Sequence, residues 1–106
     1  MKKALLIVFL MLLLPVVLLA GDKEIAAYVN KYHGIGDNIR MYLHLVSVDY
    51  EVKGLGYSIV KDNGKNCIVR YNFSLDGEPK YAEWRYGKGS GIVDPLNEWA
   101  RIFMGE

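Results

Sequence analysis

The sequence predicts an α+β domain: an N-terminal helix packed on an antiparallel sheet of about four strands, plus a short C-terminal helix. Three observations lead there. A helical apolar stripe opens residues 21–106, two hairpin signals occupy their middle, and a second helical stripe closes them.

The first stripe is Ile25, Tyr28, Val29 and Tyr32, at i, i+3, i+4 and i+7 of a helix predicted over Asp22–His33. Asp22 is placed to cap it, and Gly34 to end it in a left-handed conformation. His33 then lies at the helix C-terminus, where a protonated imidazole suits the dipole. Gly34-Ile35-Gly36-Asp37-Asn38 reads as a loop. Ile39–Lys53 reads as a long β-rich stretch. Tyr42, His44, Val46, Val48, Tyr50 and Val52 share one face, and Met41, Leu43 and Leu45 share the other. Gly54 and Gly56 interrupt it as a turn or a bulge.

The first hairpin signal is Lys61-Asp62-Asn63-Gly64-Lys65. A three-residue Asp62-Asn63-Gly64 loop places Lys61 opposite Lys65, Ile59 opposite Cys67, Tyr57 opposite Val69 and Leu55 opposite Tyr71. A two-residue Asn63-Gly64 turn would set Tyr57 against Arg70 and split the apolar face, so the longer loop is preferred. The second signal, Asp76-Gly77, predicts a type I′ turn with Leu75 facing Glu78. That register pairs Tyr71 with Ala82, Val69 with Trp84 and Cys67 with Tyr86 on one face, and Arg70 with Glu83 on the other. Both hairpins agree that Cys67, Val69 and Tyr71 point inward. Gly87–Gly91 is then a flexible turn and Ile92-Val93 a short strand. Asp94 is placed as N-cap and Pro95 in the first turn of a final helix, with Leu96, Trp99, Ala100 and Phe103 as its stripe.

Residues 1–20 stand apart from this domain. Lys2 and Lys3 precede an unbroken apolar run from Ala4 to Ala20, which reads as a secretory signal peptide. Pro15 near its end and the small Ala20 favour cleavage after Ala20. Leu18 is large for the peptidase pattern, and without cleavage the run becomes an N-terminal anchor. The expectation is export to a periplasmic or extracellular space, with membrane tethering only if the segment is retained. Residues 21–106 then form one small domain.

The chain carries 13 basic and 12 acidic side chains, and setting aside Lys2 and Lys3 leaves one net negative charge. There is no basic excess to hold a phosphate backbone, so nucleic acid is not an expected partner. Cys67 is the single cysteine, so no internal disulfide can form. Stability must come from packing, and aromatic side chains, which bury large areas, supply it.

Sites of chemistry are few. His33 and His44 are the only histidines, and no metal-binding or phosphate-loop spacing occurs. No cofactor and no metal are expected. Asp62-Asn63-Gly64 has the opening of a calcium loop but lacks the downstream ligands. A Cys67–His44 nucleophile and base pair is conceivable, yet an inward Cys67 among Val69, Trp84 and Tyr86 would have a raised thiol pKa. His44 reads as a half-buried residue satisfied by a neighbour. Among the aromatic residues, Tyr57, Tyr71 and Trp84 read as core. Tyr81 projects from the opposite face, near Arg70 and Arg85, and a Tyr–Arg surface suits recognition of a protein or ligand.

Two family resemblances extend this reading. Tyr81-Ala82-Glu83-Trp84-Arg85-Tyr86 followed by Gly91-Ile92-Val93 resembles the end of small exported bacterial domains of the PepSY kind. That resemblance implies a non-catalytic role in binding a partner or inhibiting a protease. Tyr50-Glu51-Val52-Lys53-Gly54 is similar to the Q-x-V-x-G hairpin of cystatins, with Tyr50 in place of the Gln. It implies that Val52, Lys53 and Gly54 form an inserted inhibitory loop. The leading expectation is an exported, non-enzymatic binding module for another extracytoplasmic protein or peptide. Inhibition of an extracytoplasmic protease, which the cystatin resemblance implies is a cysteine protease, through Val52-Lys53-Gly54 or the Asp76-Gly77 hairpin is the alternative. A small hydrolase using His44 ranks last.

Overall fold

The computed structural model describes residues 20–106, and the segment expected to be a signal, residues 1–20, lies outside them apart from Ala20. Two helices open the domain: α1 (Ala20–Lys31) and α2 (Ile35–Val46), joined by a 3-10 turn over Tyr32–Gly34. Four strands follow, β1 (Val52–Asp62), β2 (Asn66–Leu75), β3 (Glu78–Gly87) and β4 (Val93–Pro95), and α3 (Glu98–Phe103) ends the fold. The sheet is antiparallel with strand order β1-β2-β3-β4. The predicted α+β class holds.

The helices share one face of the sheet. Val29 of α1, Ile35 and Ile39 of α2, and Ala100 and Phe103 of α3 enter one core with Cys67, Val69, Phe73, Ala82, Trp84 and Val93. Gly34 ends the first helical segment at φ +74°, as its position predicted, and His33 beside it takes a left-handed φ of 50°. Stacking of the His33 ring on Tyr32, 4.2 Å between centroids, accompanies that bend.

The stretch from Gly34 to Lys53 departs from expectation. Ile35–Val46 is helix where a loop and then a strand were predicted, residues 47–50 form a turn, and β1 begins only at Val52. Ile35, Ile39, Tyr42 and Leu43 face the core with helical spacing, while Met41, His44 and Leu45 face solvent. Tyr42 and Tyr50 are therefore not on strands, and His44 is exposed rather than half-buried.

Asp76-Gly77 forms the predicted turn, with positive φ at both residues (51° and 78°). Every predicted β2–β3 pair is present, from Leu75 with Glu78 to Cys67 with Tyr86. The first hairpin has a different register. Lys61 lies opposite Ile68, Asp62 opposite Cys67, Ile59 opposite Val69 and Tyr57 opposite Tyr71. The Asn63 N–H donates to the Asn66 carbonyl, closing a two-residue Gly64-Lys65 turn that Gly64 permits at φ +90°. The side chains of Asp62 and Asn63 accept from Gly64, Lys65 and Asn66 N–H groups and hold that turn. Shifts between Ile59 and Lys61, and between Gly54 and Gly56, reduce the offset along β1 without removing it, so that Val52 pairs with Leu75.

Asp94 and Pro95 belong to β4 rather than to the final helix, pairing with Arg85 and Trp84. Pro95 fits there because an edge strand can spare one N–H. Asn97 caps α3 instead, accepting the Ala100 N–H at 3.0 Å. Leu96 precedes the helix and is partly exposed.

Candidate functional site

Strand pairing arranges the outer face of the sheet in rows, because directly opposed residues share a face. Lys53, Ser74 and Pro79 form one row, and Gly56, Asn72 and Tyr81 the next. Ser58, Arg70 and Glu83 follow, then Lys61, Ile68, Arg85 and Asp94. The helices pack on the other side, so among the described residues no helix or strand crosses this face.

The centre of the face is fixed in position. The Arg70 guanidinium lies 4.0 Å from the centroid of the Tyr81 ring, a cation–π contact. Arg70 Nε donates to Glu83 Oε2 at 2.5 Å, and both side chains are largely covered. Asn72 Nδ2 donates to the Gly56 carbonyl and to Ser58 Oγ, bracing β1 against β2. Asn97 reaches the same region from the other edge: its Nδ2 donates to the Tyr81 carbonyl and its Oδ1 accepts the Glu83 N–H. Arg85 stands 3.9 Å from Asp94, a loose pair whose members are each about half exposed. Tyr81 remains 42% exposed, so its ring is both positioned and accessible.

Of the residues singled out by sequence, Tyr81, Arg70 and Arg85 come together here, and Lys53 joins the same face two rows from Arg70. Val52 and Gly54 do not. They pair with Leu75 and Phe73, which alternate with Ser74 and so look toward the helices. The Val52-Lys53-Gly54 segment is paired strand rather than a hairpin tip. Asn72 and Asn97 were missed. Asn97 is a capping residue type two positions past Pro95, and that was its only signal.

Cys67 and His44 do not meet. Cys67 opens β2 beside Asp62 and Tyr86, whereas the end of α2 that carries His44 reaches the far end of β2, with Val46, Leu75 and Asp76 around one cavity. The Cys67 thiol is fully buried, and burial pushes its pKa up, which opposes nucleophilic use. Asp62 holds the Lys88 ammonium against both carboxylate oxygens, at 2.7 and 2.5 Å, so the calcium-like opening already carries a cation. Among the described residues no group of three or more His, Cys, Asp and Glu is placed to hold a metal ion. Among them, too, no helix is long and apolar enough to cross a membrane.

The fold and the face define a two-layer α+β domain in which no described helix covers one surface of the sheet. No protein family, curated protein or solved structure matches the chain.

Proposed function

We propose that the chain is an exported, non-enzymatic binding module that holds an extracytoplasmic protein or peptide against the outer face of its sheet. The supporting observation is the Tyr81 ring, held under Arg70 at 4.0 Å on a face that no described helix covers. Aromatic and arginine side chains of this kind dominate recognition surfaces because they present a large area with few rotamers to order. The charge of the face narrows the partner. Lys53, Lys61, Arg70 and Arg85 exceed Glu51, Glu83 and Asp94 by one charge, with Glu51 3.8 Å from Lys53, so the slight positive excess favours an acidic segment even though residues 21–106 carry a net negative charge.

A photo-crosslinking amino acid at Tyr81, compared with one at Val48 in the turn after α2, tests this in the full chain expressed in its own envelope. Val48 is 85% exposed, so it controls for random encounter. A discrete adduct from position 81 alone is expected, lost when Lys53 and Arg85 are both changed to Glu. Equal labelling from both positions, or an adduct indifferent to the charge reversal, refutes the reading.

A further inference from the structure

Between the end of α2 and the β2–β3 hairpin lies a cavity of about 370 Å³, on the helix side of the sheet and apart from Tyr81. Tyr42, Tyr50 and Trp99 line it. The Tyr42 and Trp99 rings stand 5.5 Å apart at 79°, forming a right-angled aromatic corner. Tyr50 stands at the same cavity with 47% of its surface exposed. The corner is rigid, because Trp99 is backed by Phe73 at 5.1 Å and Tyr42 by Phe103 at 5.7 Å. We propose that this cavity binds a small quaternary ammonium compound.

The argument is one of complementary charge and hydration. Aromatic ring faces are electronegative and attract a cation without supplying hydrogen-bond acceptors. A primary ammonium would lose its hydrogen bonds to water and regain few among rings. A methylated ammonium spreads its charge over methyl groups and loses much less. The remaining wall reinforces the sign. Asp76 and Glu78 both line the cavity, and Asp76 commits one carboxylate oxygen to the Glu51 N–H at 2.8 Å, its other oxygen having no partner among the described residues. Among the described residues Lys80 is the one cation on the wall, and its ammonium is held by Glu78 at 3.1 Å. The lining therefore keeps one net negative charge. Val46, the last residue of α2, also contributes to it, so the negative end of that helix dipole adjoins the cavity. The volume falls near the lower limit of small-ligand pockets, which suits a choline-sized molecule.

The test titrates the purified full chain with choline, with its neutral carbon isostere 3,3-dimethylbutanol, and with N-acetyl-lysine methylamide as a primary-ammonium probe. Calorimetry and tryptophan fluorescence report binding; Trp84 is wholly buried, so Trp99 is the responsive indole. Saturable choline binding at about millimolar Kd or tighter is expected, with both comparison probes at least about tenfold weaker. Tyr50→Ala, at an exposed ring, should weaken choline about fivefold or more without changing Tm, and Lys80→Gln should tighten it. The proposal is overturned if choline binding does not saturate, if either comparison probe binds as well, or if Tyr50→Ala leaves the affinity unchanged.

Discussion

Replacing Gly54 by Ala should destabilise the fold, although Ala is ordinarily the better strand residue of the two. Gly54 has no left-handed φ, so backbone conformation does not bar a side chain there. What bars it is Tyr71. An added Cβ would stand 2.5 Å from Tyr71 Oη and 3.9 Å from Leu43 Cδ1, so the hydroxyl must retreat by about 1 Å to reach ordinary contact. The Tyr71 ring has little freedom to do so, with Tyr57 edge-on at 5.1 Å and Phe73 at 6.1 Å. Overpacking of this kind costs ~1–3 kcal/mol. The smaller unfolded-state entropy of Ala returns ~0.4–1 kcal/mol. The net loss is centred on about 1 kcal/mol and reaches at most about 2.5 kcal/mol, which for a domain of this size lowers Tm by roughly 4–8 °C at the centre. Circular dichroism melts would measure it. The cause is separable in a double-mutant cycle, because Tyr71→Phe deletes the hydroxyl that the Cβ meets. In that background Gly54→Ala should become neutral or slightly stabilising. A penalty that persists without the hydroxyl, or a raised Tm in the single variant, would refute the packing explanation.

Two further outcomes follow from buried and paired groups. Cys67, buried and with its pKa raised by that burial, should not react with a disulfide reagent at pH 8 in the native protein, and should react fully after unfolding in denaturant; native-state labelling at the rate of a free thiol would contradict the placement. The Lys88 hydrogen bond, followed by that of the Gly64 N–H, holds the Asp62 carboxyl below its ordinary value. Its folded pKa lies below its unfolded one, so the contribution to stability is present above the unfolded pKa and is lost as pH falls through the folded one. Lys88→Met should raise the Asp62 pKa toward the ordinary carboxylate value in an NMR titration, and an unmoved Asp62 would show that Lys88 is not the cause.

How far each element was legible depended on whether one local feature decided it. Asp76-Gly77 admits essentially one turn geometry, and that turn carried the β2–β3 register out to Arg70 opposite Glu83 and Cys67 opposite Tyr86. The same register, counted along the sequence, sets Tyr81 on the face of Arg70 and diagonal to it. The first hairpin turns at Gly64-Lys65 rather than over Asp62-Asn63-Gly64, because the Asp62 and Asn63 side chains hold that turn, so its register differs from the first pair onward. The shifts near Leu55 and Val60 then change it again, and no residue type announces an inserted residue. Ile39–Val46 is apolar at so many positions that periods of 2 and 3.6 both fit it. The helix prevails because it buries Ile35, Ile39, Tyr42 and Leu43 against one core while Met41 and Leu45 stay outside. Asp94 and Asn97 are equally good caps in sequence, and the pairing of Val93–Pro95 with β3 is what moves the helix start to Glu98. The aromatic corner was not legible at all. It joins Tyr42 from α2 to Trp99 from α3, and only tertiary packing sets that pair.

The chemistry of the open face also bears on what kind of association it can support. An obligate interface resembles a domain core cut in half, and a protein carrying one exposes a large apolar patch when alone. This face does not. Arg70 is satisfied by Glu83, Asn72 by Gly56 and Ser58, and the Tyr81 and Glu83 backbone groups by Asn97. These polar groups are paired within the chain, so a partner docking here need not replace any of them. A partner docking here would meet an ordered aromatic ring surrounded by charges that stay hydrated at their edges. Such an encounter is steered by Lys53, Lys61 and Arg85, and it weakens as salt screens them. Gly54 belongs to the same logic. The Gly54 of the V-x-G segment clears space for Tyr71 on the helix side. The residue that most resembled part of a functional loop thus serves the packing beneath the sheet whose outer face carries Tyr81 and Arg70.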